Sequence, residues 1–253
     1  MKLAIVAGGW HWPQHFYETA AFTFPEADLF VVSHRNPELP VVRGEKEEVL
    51  AKSTGPLANL DRVLYRNYPT VKFLKRIGWK YTEAPNTFGD WGFFNQWLEE
   101  NDYRKYDVIL NCHDDTYLYG SHLLEAVNFF PLPWLILTNG TYPEAPEAYV
   151  RGSFEFWKME MLEMLGGRID VGHVTLTRED KTASPEGLAA LSPWNEIGTP
   201  LRRFLVDRKL SDRVYSLSPY YRISPWVIEG ERGLLSNVEG APWSFQEGVK
   251  RFL

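Results

Sequence analysis

A short apolar run that ends in a histidine and two acids constrains the fold of this chain more than any other stretch. Residues 108–110 are consecutive apolar residues, and His113, Asp114 and Asp115 follow shortly afterwards. A continuous apolar run of this kind is typical of a strand buried on both faces, as in the parallel sheets of α/β proteins. Ligands in such folds bind beyond the carboxyl ends of the strands. The acids therefore stand where a metal or ligand site is expected, while Asp-Asp-Thr is also ordinary helix-capping chemistry.

Two earlier apolar runs, residues 3–7 and 29–32, also end in small or polar residues. These exits are Gly8 and Gly9 after the first run, and Ser33, His34 and Arg35 after the second. Residues 13–24 between the runs have helical periodicity, which predicts a right-handed strand–helix–strand unit with both exits at one sheet edge. Glycines there allow a sharp turn or a close approach to a ligand. They do not complete the G-x-G-x-x-G fingerprint of nicotinamide and flavin proteins.

The alternation of strand and helix patterns continues along the chain. Residues 79–83 predict a third strand, and residues 84–98 predict a loop and then a helix with Phe88, Trp91, Asn95 and Leu98 on one face. Asp90 lies near the start of this helix and is a candidate ligand contact, although an acid in a first helical turn is also favoured by the helix dipole.

Later segments are less regular. Residues 134–138 predict a strand, and residues 151–165 predict a helix that ends at Gly166 and Gly167. A helix over residues 195–209 and an edge strand over 213–217 follow. We expect one α/β domain over residues 1–253, with a less regular extension over 211–253.

Composition limits the classes of function. A net charge of −6 and the absence of a basic run argue against a nucleic-acid binder. Cys112 is the single cysteine, which excludes a disulfide framework and favours a reducing, cytoplasmic compartment. We expect no membrane span and no signal segment, because the first apolar run is too short for either. The 10 tryptophans can line a pocket for sugar rings or bases, or can simply fill an aromatic core.

In the order of these parts the chain resembles GT-A glycosyltransferases, and most of all their large inverting family, family 2. The resemblance covers roughly residues 1 to 220. It implies an α/β fold with a Rossmann-type, mixed but mostly parallel sheet flanked by helices. It also implies a nucleoside-diphosphate sugar as donor, a hydroxyl acceptor, and a divalent cation, Mn²⁺ or Mg²⁺. The positions that correspond to its nucleotide-binding parts are Gly8, Gly9, Ser33, His34, Arg35, Asn86, Asp90 and Asp114.

Two positions depart from the family pattern. His113 stands where the family has the first acid of its metal motif, and Asn195-Glu196 stands where it has a paired Glu-Asp. An imidazole suits manganese better than magnesium. If the strand pleat continues, His113 and Asp115 share one side, which makes Asp115 the preferred metal ligand with His113 beside it. The resemblance assigns the general base to Glu196, while Asp90, Glu155 and Glu160 are the next acids to test.

Two other classes of function stay open. A nucleotidyltransferase would also use an α/β sheet, a metal and a diphosphate, but such enzymes usually carry a glycine-rich, basic loop after the first strand. Gly8, Gly9, Trp10 and His11 lack the basic residue. A non-catalytic nucleotide or carbohydrate binder is the second alternative, because a fold does not fix a function.

Overall fold

The computed structural model describes residues 1–52, 67–85, 89–114, 122–138, 154–170 and 199–216. These residues contain one seven-stranded sheet with the order β3-β2-β1-β4-β6-β5-β7. Its strands are β1 (Leu3–Gly8), β2 (Asp28–Ser33), β3 (Trp79–Glu83), β4 (Val108–His113), β5 (Ile136–Thr138), β6 (Phe154–Lys158) and β7 (Val214–Ser216).

The sheet is mixed but mostly parallel. β1 pairs in parallel with both β2 and β4, and β2 pairs in parallel with β3. Only β6 runs the other way among these strands, since it is antiparallel to β4 and to β5, whereas β5 and β7 are parallel. The expected α/β, Rossmann-like class is therefore confirmed.

Helices cover both faces of the sheet. They are α1 (Gln14–Thr23), α2 (Pro40–Lys52), α3 (Val71–Arg76), α4 (Gly89–Glu100), α5 (His122–Asn128), α6 (Met159–Met164) and α7 (Thr199–Asp207). Buried side chains of α1, α2, α3 and α5 share one apolar cluster with Ile5 and Leu110. Those of α4, α6 and α7 share the other cluster with Val6 and Ile109. Neighbouring strand residues thus enter opposite layers, as the pleat requires.

The helical faces expected from periodicity are buried. Phe16, Ala20 and Phe24 are at most 2% exposed on one side of the sheet. On the other side, Trp91, Asn95 and Leu98 of α4 are at most 4% exposed, while Phe88 lies outside the described residues. Spacing of three to four residues is enough to predict these contacts, because it fixes which side chains share a helix face.

The helix expected from residue 151 onward is wrong over residues 154–158, which form β6. Phe154 and Phe156 lie in one apolar layer and Trp157 lies in the other, so the side chains follow the two-residue period of a strand. Pairing with β4 and β5 satisfies both edges of this aromatic segment. The helix begins only at Met159, and it ends as expected at Gly166 and Gly167, whose φ angles are +72° and +75°.

No helix among the described residues has both the length and the apolar character needed to cross a bilayer.

Candidate functional site

The carboxyl ends of β1, β2 and β4 meet where the strand order reverses. From β1 the chain proceeds outward to β2 and β3, and it then returns to β4 on the other side of β1. Gly8 and His113 are register partners across the β1–β4 pair, and the Gly9 amide donates to the Val32 carbonyl at 3.0 Å. Open α/β sheets bind ligands at such a reversal. The expected convergence of the first two exits and of His113 and Asp114 is thus present at this edge.

Asp114 holds the loop that follows β1. Its carboxylate is fully buried, and Oδ2 accepts hydrogen bonds from the backbone N–H groups of Trp10 at 3.1 Å and Trp12 at 2.7 Å. The N–H group of His11 lies 2.9 Å from Oδ1 and 3.1 Å from Oδ2. The Tyr17 hydroxyl donates to Oδ2 at 2.9 Å. Three consecutive backbone amides and one phenol therefore converge on one carboxylate.

Tyr17 remains a donor in this cluster. Burial, together with the neighbouring Asp114 carboxylate, raises the pKa of the Tyr17 hydroxyl well above its usual value. Trp12 has a φ of +57°, a left-handed conformation that is unfavourable for a bulky residue. The hydrogen bond from its amide to Asp114 stabilises that conformation.

Gly8 and Gly9 are enclosed by aromatic side chains. A Cβ atom on Gly8 would lie 2.4 Å from the Phe93 ring, and one on Gly9 would lie 2.5 Å from the Trp12 ring. The absence of a side chain at these two glycines thus leaves room for the Phe93 and Trp12 rings. Their contact with a nucleotide stays a prediction.

Ser33 joins the first two exits to each other. It is 3% exposed, its hydroxyl donates to the Gly9 carbonyl, and the same oxygen accepts from the Arg35 amide at 2.9 Å. Its role in the folded chain is to fix the positions of the neighbouring loops, and a direct contact with a ligand stays a prediction.

Trp10 follows Gly9, and His34 and Arg35 follow Ser33, so these three residues stand at the two exits. We call Trp10, His34 and Arg35 the ring platform. The Arg35 guanidinium carbon is 4.6 Å from the centroid of the Trp10 ring, and the His34 ring centroid is 4.9 Å from it. Trp10 and His34 are half-buried, and Arg35 is 7% exposed. Sequence patterns selected His34 and Arg35 but missed Trp10, although its place directly after two glycines was a usable signal.

The structure describes only part of the expected metal site. His113 is half-buried at the end of β4, with its ring centroid 6.1 Å from that of Phe93. Asp114 has both carboxylate oxygens bonded to the loop after β1. Within the described ranges no group of three His, Cys, Asp or Glu residues is arranged to hold an ion. These residues alone do not form a metal centre, and the prediction depends on Asp115.

Several expected site residues lie outside the described residues. They are Asn86, Asp115 and Glu196. Asp90 belongs to the first turn of α4, but its side chain is likewise outside the description. Their assigned roles stay predictions.

A buried polar row crosses three neighbouring strands, and only Glu155 among its members was a candidate from the sequence. Asn111, Glu155 and Thr138 are register neighbours on β4, β6 and β5, and all three are fully buried. The Asn111 amide donates to the Glu155 carboxylate at 3.1 Å. Because β6 is antiparallel to β4, the first residues of β6 lie beside the carboxyl end of β4, and Glu155 is one of them. Glu160 follows β6 at the opposite edge, where Arg213 lies 3.5 Å away, so it is not part of this site.

Neither a protein-family profile nor a curated protein sequence matches the chain. Its structure is similar to that of a cytidylyltransferase from Leptospira borgpetersenii, with 12% identity, a TM-score of 0.42, and coverage of 85% of this chain and 75% of that one. It is also similar to the glycosyltransferase GlyE of Streptococcus pneumoniae TIGR4, with 11% identity, a TM-score of 0.37, and coverage of 85% of this chain and 45% of the other.

A third similar structure is 4-diphosphocytidyl-2C-methyl-D-erythritol synthase from Anaerococcus prevotii. The identity is 8%, the TM-score is 0.40, and the coverage is 94% of each chain. Similarities of this size do not establish an activity for the chain.

Proposed function

We propose that the chain is a glycosyltransferase that binds a nucleoside-diphosphate sugar at the carboxyl edge of β1, β2 and β4 and transfers the sugar to a hydroxyl acceptor. The observation that carries the proposal is the ring platform at the reversal of strand order. A partly exposed indole beside a guanidinium offers a flat apolar surface and a positive charge, which suit a base or sugar ring joined to phosphates.

The chemistry of this proposal requires a base and charge stabilisation. Glu196 is the proposed general base that takes the proton from the acceptor hydroxyl, and a single displacement then inverts the anomeric centre. His113 and Asp115 are the proposed ligands of a divalent cation, which would stabilise the charge of the leaving diphosphate. The other proposed donor contacts are Gly8, Gly9, Asn86 and Asp90, with Ser33 and Asp114 fixing the loops around them.

The first experiment measures nucleotide binding. Calorimetry with uridine, cytidine and guanosine diphosphates, with and without Mn²⁺, should reveal one preferred nucleotide. Stacking on an aromatic side chain contributes on the order of 1–3 kcal/mol, so Trp10→Leu should weaken that affinity by roughly 5- to 160-fold.

Arg35→Gln has a matched control. Arg104 also lies over an aromatic ring, 4.7 Å from the centroid of Tyr103, but it precedes β4 and so belongs to the opposite edge of the sheet. We expect Arg35→Gln to weaken nucleotide binding and Arg104→Gln to leave it unchanged. Equal effects of the two substitutions would remove the ring platform from the binding site.

The second experiment identifies the products. A glycosyltransferase releases nucleoside diphosphate from a nucleotide sugar, whereas a nucleotidyltransferase releases pyrophosphate from a nucleoside triphosphate. Binding without either product would indicate a non-catalytic binder. With an active donor, Glu196→Gln should abolish transfer while nucleotide affinity persists, and Asp115→Asn should weaken metal-dependent donor binding. Near-normal transfer by Glu196→Gln would reject it as the base and direct attention to Asp90 or Glu155.

A further inference from the structure

The loop after the first strand of a nucleotide-binding α/β protein is a common phosphate site. Successive backbone N–H groups there form a concave nest for an anion, and the next helix adds the positive end of its dipole. In this chain the corresponding N–H groups belong to Trp10, His11 and Trp12. All three donate to Asp114 at 2.7–3.1 Å, so the protein itself supplies the anion of this nest.

We propose that Asp114 is a positioning residue that acts as an internal anion: it fills the nest of residues 10–12 and thereby commits this loop to the base or sugar ring of the ligand, with the phosphates held elsewhere. The ring assignment rests on the proposed nucleotide-binding function. The internal anion does not, because it follows from the hydrogen bonds alone.

The geometry shows how the anion acts on the ring platform. Oδ2 fixes the Trp10 amide directly, and the Trp10 indole carries the contacts to Arg35 and His34. The hydrogen bond from the Trp12 amide holds the left-handed turn that follows. From the other side, the Ser33 hydroxyl donates to the Gly9 carbonyl. The position of Trp10 is therefore fixed by the hydrogen bond of its own amide to Asp114 and by that of the Gly9 carbonyl to Ser33.

Burial makes an alternative occupant of the nest unfavourable. Asp114 and Trp12 are fully buried, and His11 is 7% exposed. A ligand phosphate would have to displace a carboxylate that already receives charge-assisted hydrogen bonds from the three amides and from Tyr17. The loop also offers no lysine or arginine between residues 8 and 14.

Chemical rescue tests the internal anion. Asp114→Ala deletes the carboxylate but keeps Cβ, which leaves a space about the size of formate beside three amides. We expect the midpoint of thermal unfolding to fall by roughly 5–15 °C. Sodium formate should restore a substantial part of that loss, whereas sodium chloride at the same ionic strength should not. Wild-type protein should show no difference between the two salts. Equal responses of the variant to both salts would overturn the proposal.

A second variant covers the case in which Asp114→Ala does not fold. Asp114→Asn keeps the shape but retains one acceptor oxygen, and its amide group faces an N–H donor of the loop. Tyr17→Phe is the matched control, because it removes one hydrogen bond to the same carboxylate and leaves the three amides in place. We expect a larger fall in the unfolding midpoint for Asp114→Asn than for Tyr17→Phe. The reverse order would contradict the internal anion.

The ring assignment is tested with a nucleoside and its diphosphate. If the loop serves only the ring end, Asp114→Asn should weaken binding of cytidine and cytidine diphosphate, or of uridine and uridine diphosphate, by the same factor. A change confined to the diphosphate would place the phosphates at this loop and overturn the assignment. If wild-type protein binds none of these probes, the proposed function and the ring assignment both fail, while the formate experiment still decides the internal anion.

Discussion

Asn95 is the residue of α4 whose replacement gives the sharpest test of the packing. Its side chain forms two hydrogen bonds with the backbone of Ile169: Nδ2 donates to the carbonyl at 2.9 Å, and Oδ1 accepts from the amide at 2.8 Å. Asn95 is 4% exposed and Ile169 is fully buried. The pair therefore fixes the backbone just after Gly167, one residue before the described part of this segment ends at residue 170.

Asn95→Leu removes both partners from this buried backbone. An unsatisfied buried donor or acceptor costs about 1–3 kcal/mol, so two of them predict a loss of about 2–6 kcal/mol in the free energy of unfolding. Asn95→Asp keeps the shape and the acceptor, but it places a carboxylate oxygen against the Ile169 carbonyl. We expect it to be strongly destabilising as well, because a buried charge without compensation is costly.

Asn101 provides the matched control at the end of the same helix. Its Nδ2 donates to the Trp97 carbonyl at 2.9 Å, but that carbonyl also accepts from the Asn101 backbone amide at 3.0 Å. Asn101→Leu therefore leaves the carbonyl bonded and should cost no more than about 1.5 kcal/mol.

Urea unfolding with an unchanged m-value measures both variants, and hydrogen exchange of the Ile169 amide measures the local effect. In Asn95→Leu this amide should lose protection beyond the global loss of stability. If the two leucine variants are equally stable, the paired hydrogen bonds do not hold this segment and the reasoning is refuted.

Two further predictions concern opposite edges of the sheet. Gly8→Ala should destabilise the protein by about 1–3 kcal/mol, because its Cβ would lie 2.4 Å from the Phe93 ring. Adding Phe93→Leu to the same chain should recover part of that loss, as measured by urea unfolding. If the effects of the two substitutions are fully additive, the contact is rejected. At the other edge, Lys80 is 2.7 Å from Asp28 and, as the main cause, lowers the pKa of that carboxyl. A carboxyl whose pKa is lower in the folded state stabilises the protein above its unfolded-state pKa of about 4, and this stabilisation is lost as the pH falls below that value. Lys80→Gln should therefore be less stable than wild type at pH 6, by no more than about 1 kcal/mol because the pair is exposed. Near pH 2 the two proteins should be equally stable. A difference that persists unchanged at pH 2 would assign the effect to packing instead.

Local periodicity was enough to predict several features of the fold. Apolar runs with polar exits located β1, β2 and β4, and the three-to-four-residue spacing identified the buried faces of α1 and α4, whereas the two-residue period of β6 was missed. The connection rule for a strand–helix–strand unit then placed Gly8 and Ser33 at one edge, and His113 was assigned to the carboxyl end of its own strand. Each of these inferences uses neighbours within one element, or one general rule of connection.

Contacts between segments that are distant along the chain could not be predicted in this way, because they depend on how the segments pack in three dimensions. The sequence pattern of residues 154–158 is short and aromatic, and pairing with β4 and β5 made it a strand rather than the start of a helix. Three such contacts join residues that are 25 to 104 positions apart. They are the hydrogen bond between Asp114 and the Trp10 amide, the packing of the Arg35 guanidinium on the Trp10 ring, and the hydrogen bonds between Asn95 and Ile169. Such contacts depend on the three-dimensional position of backbone amides and rings, which no local period encodes.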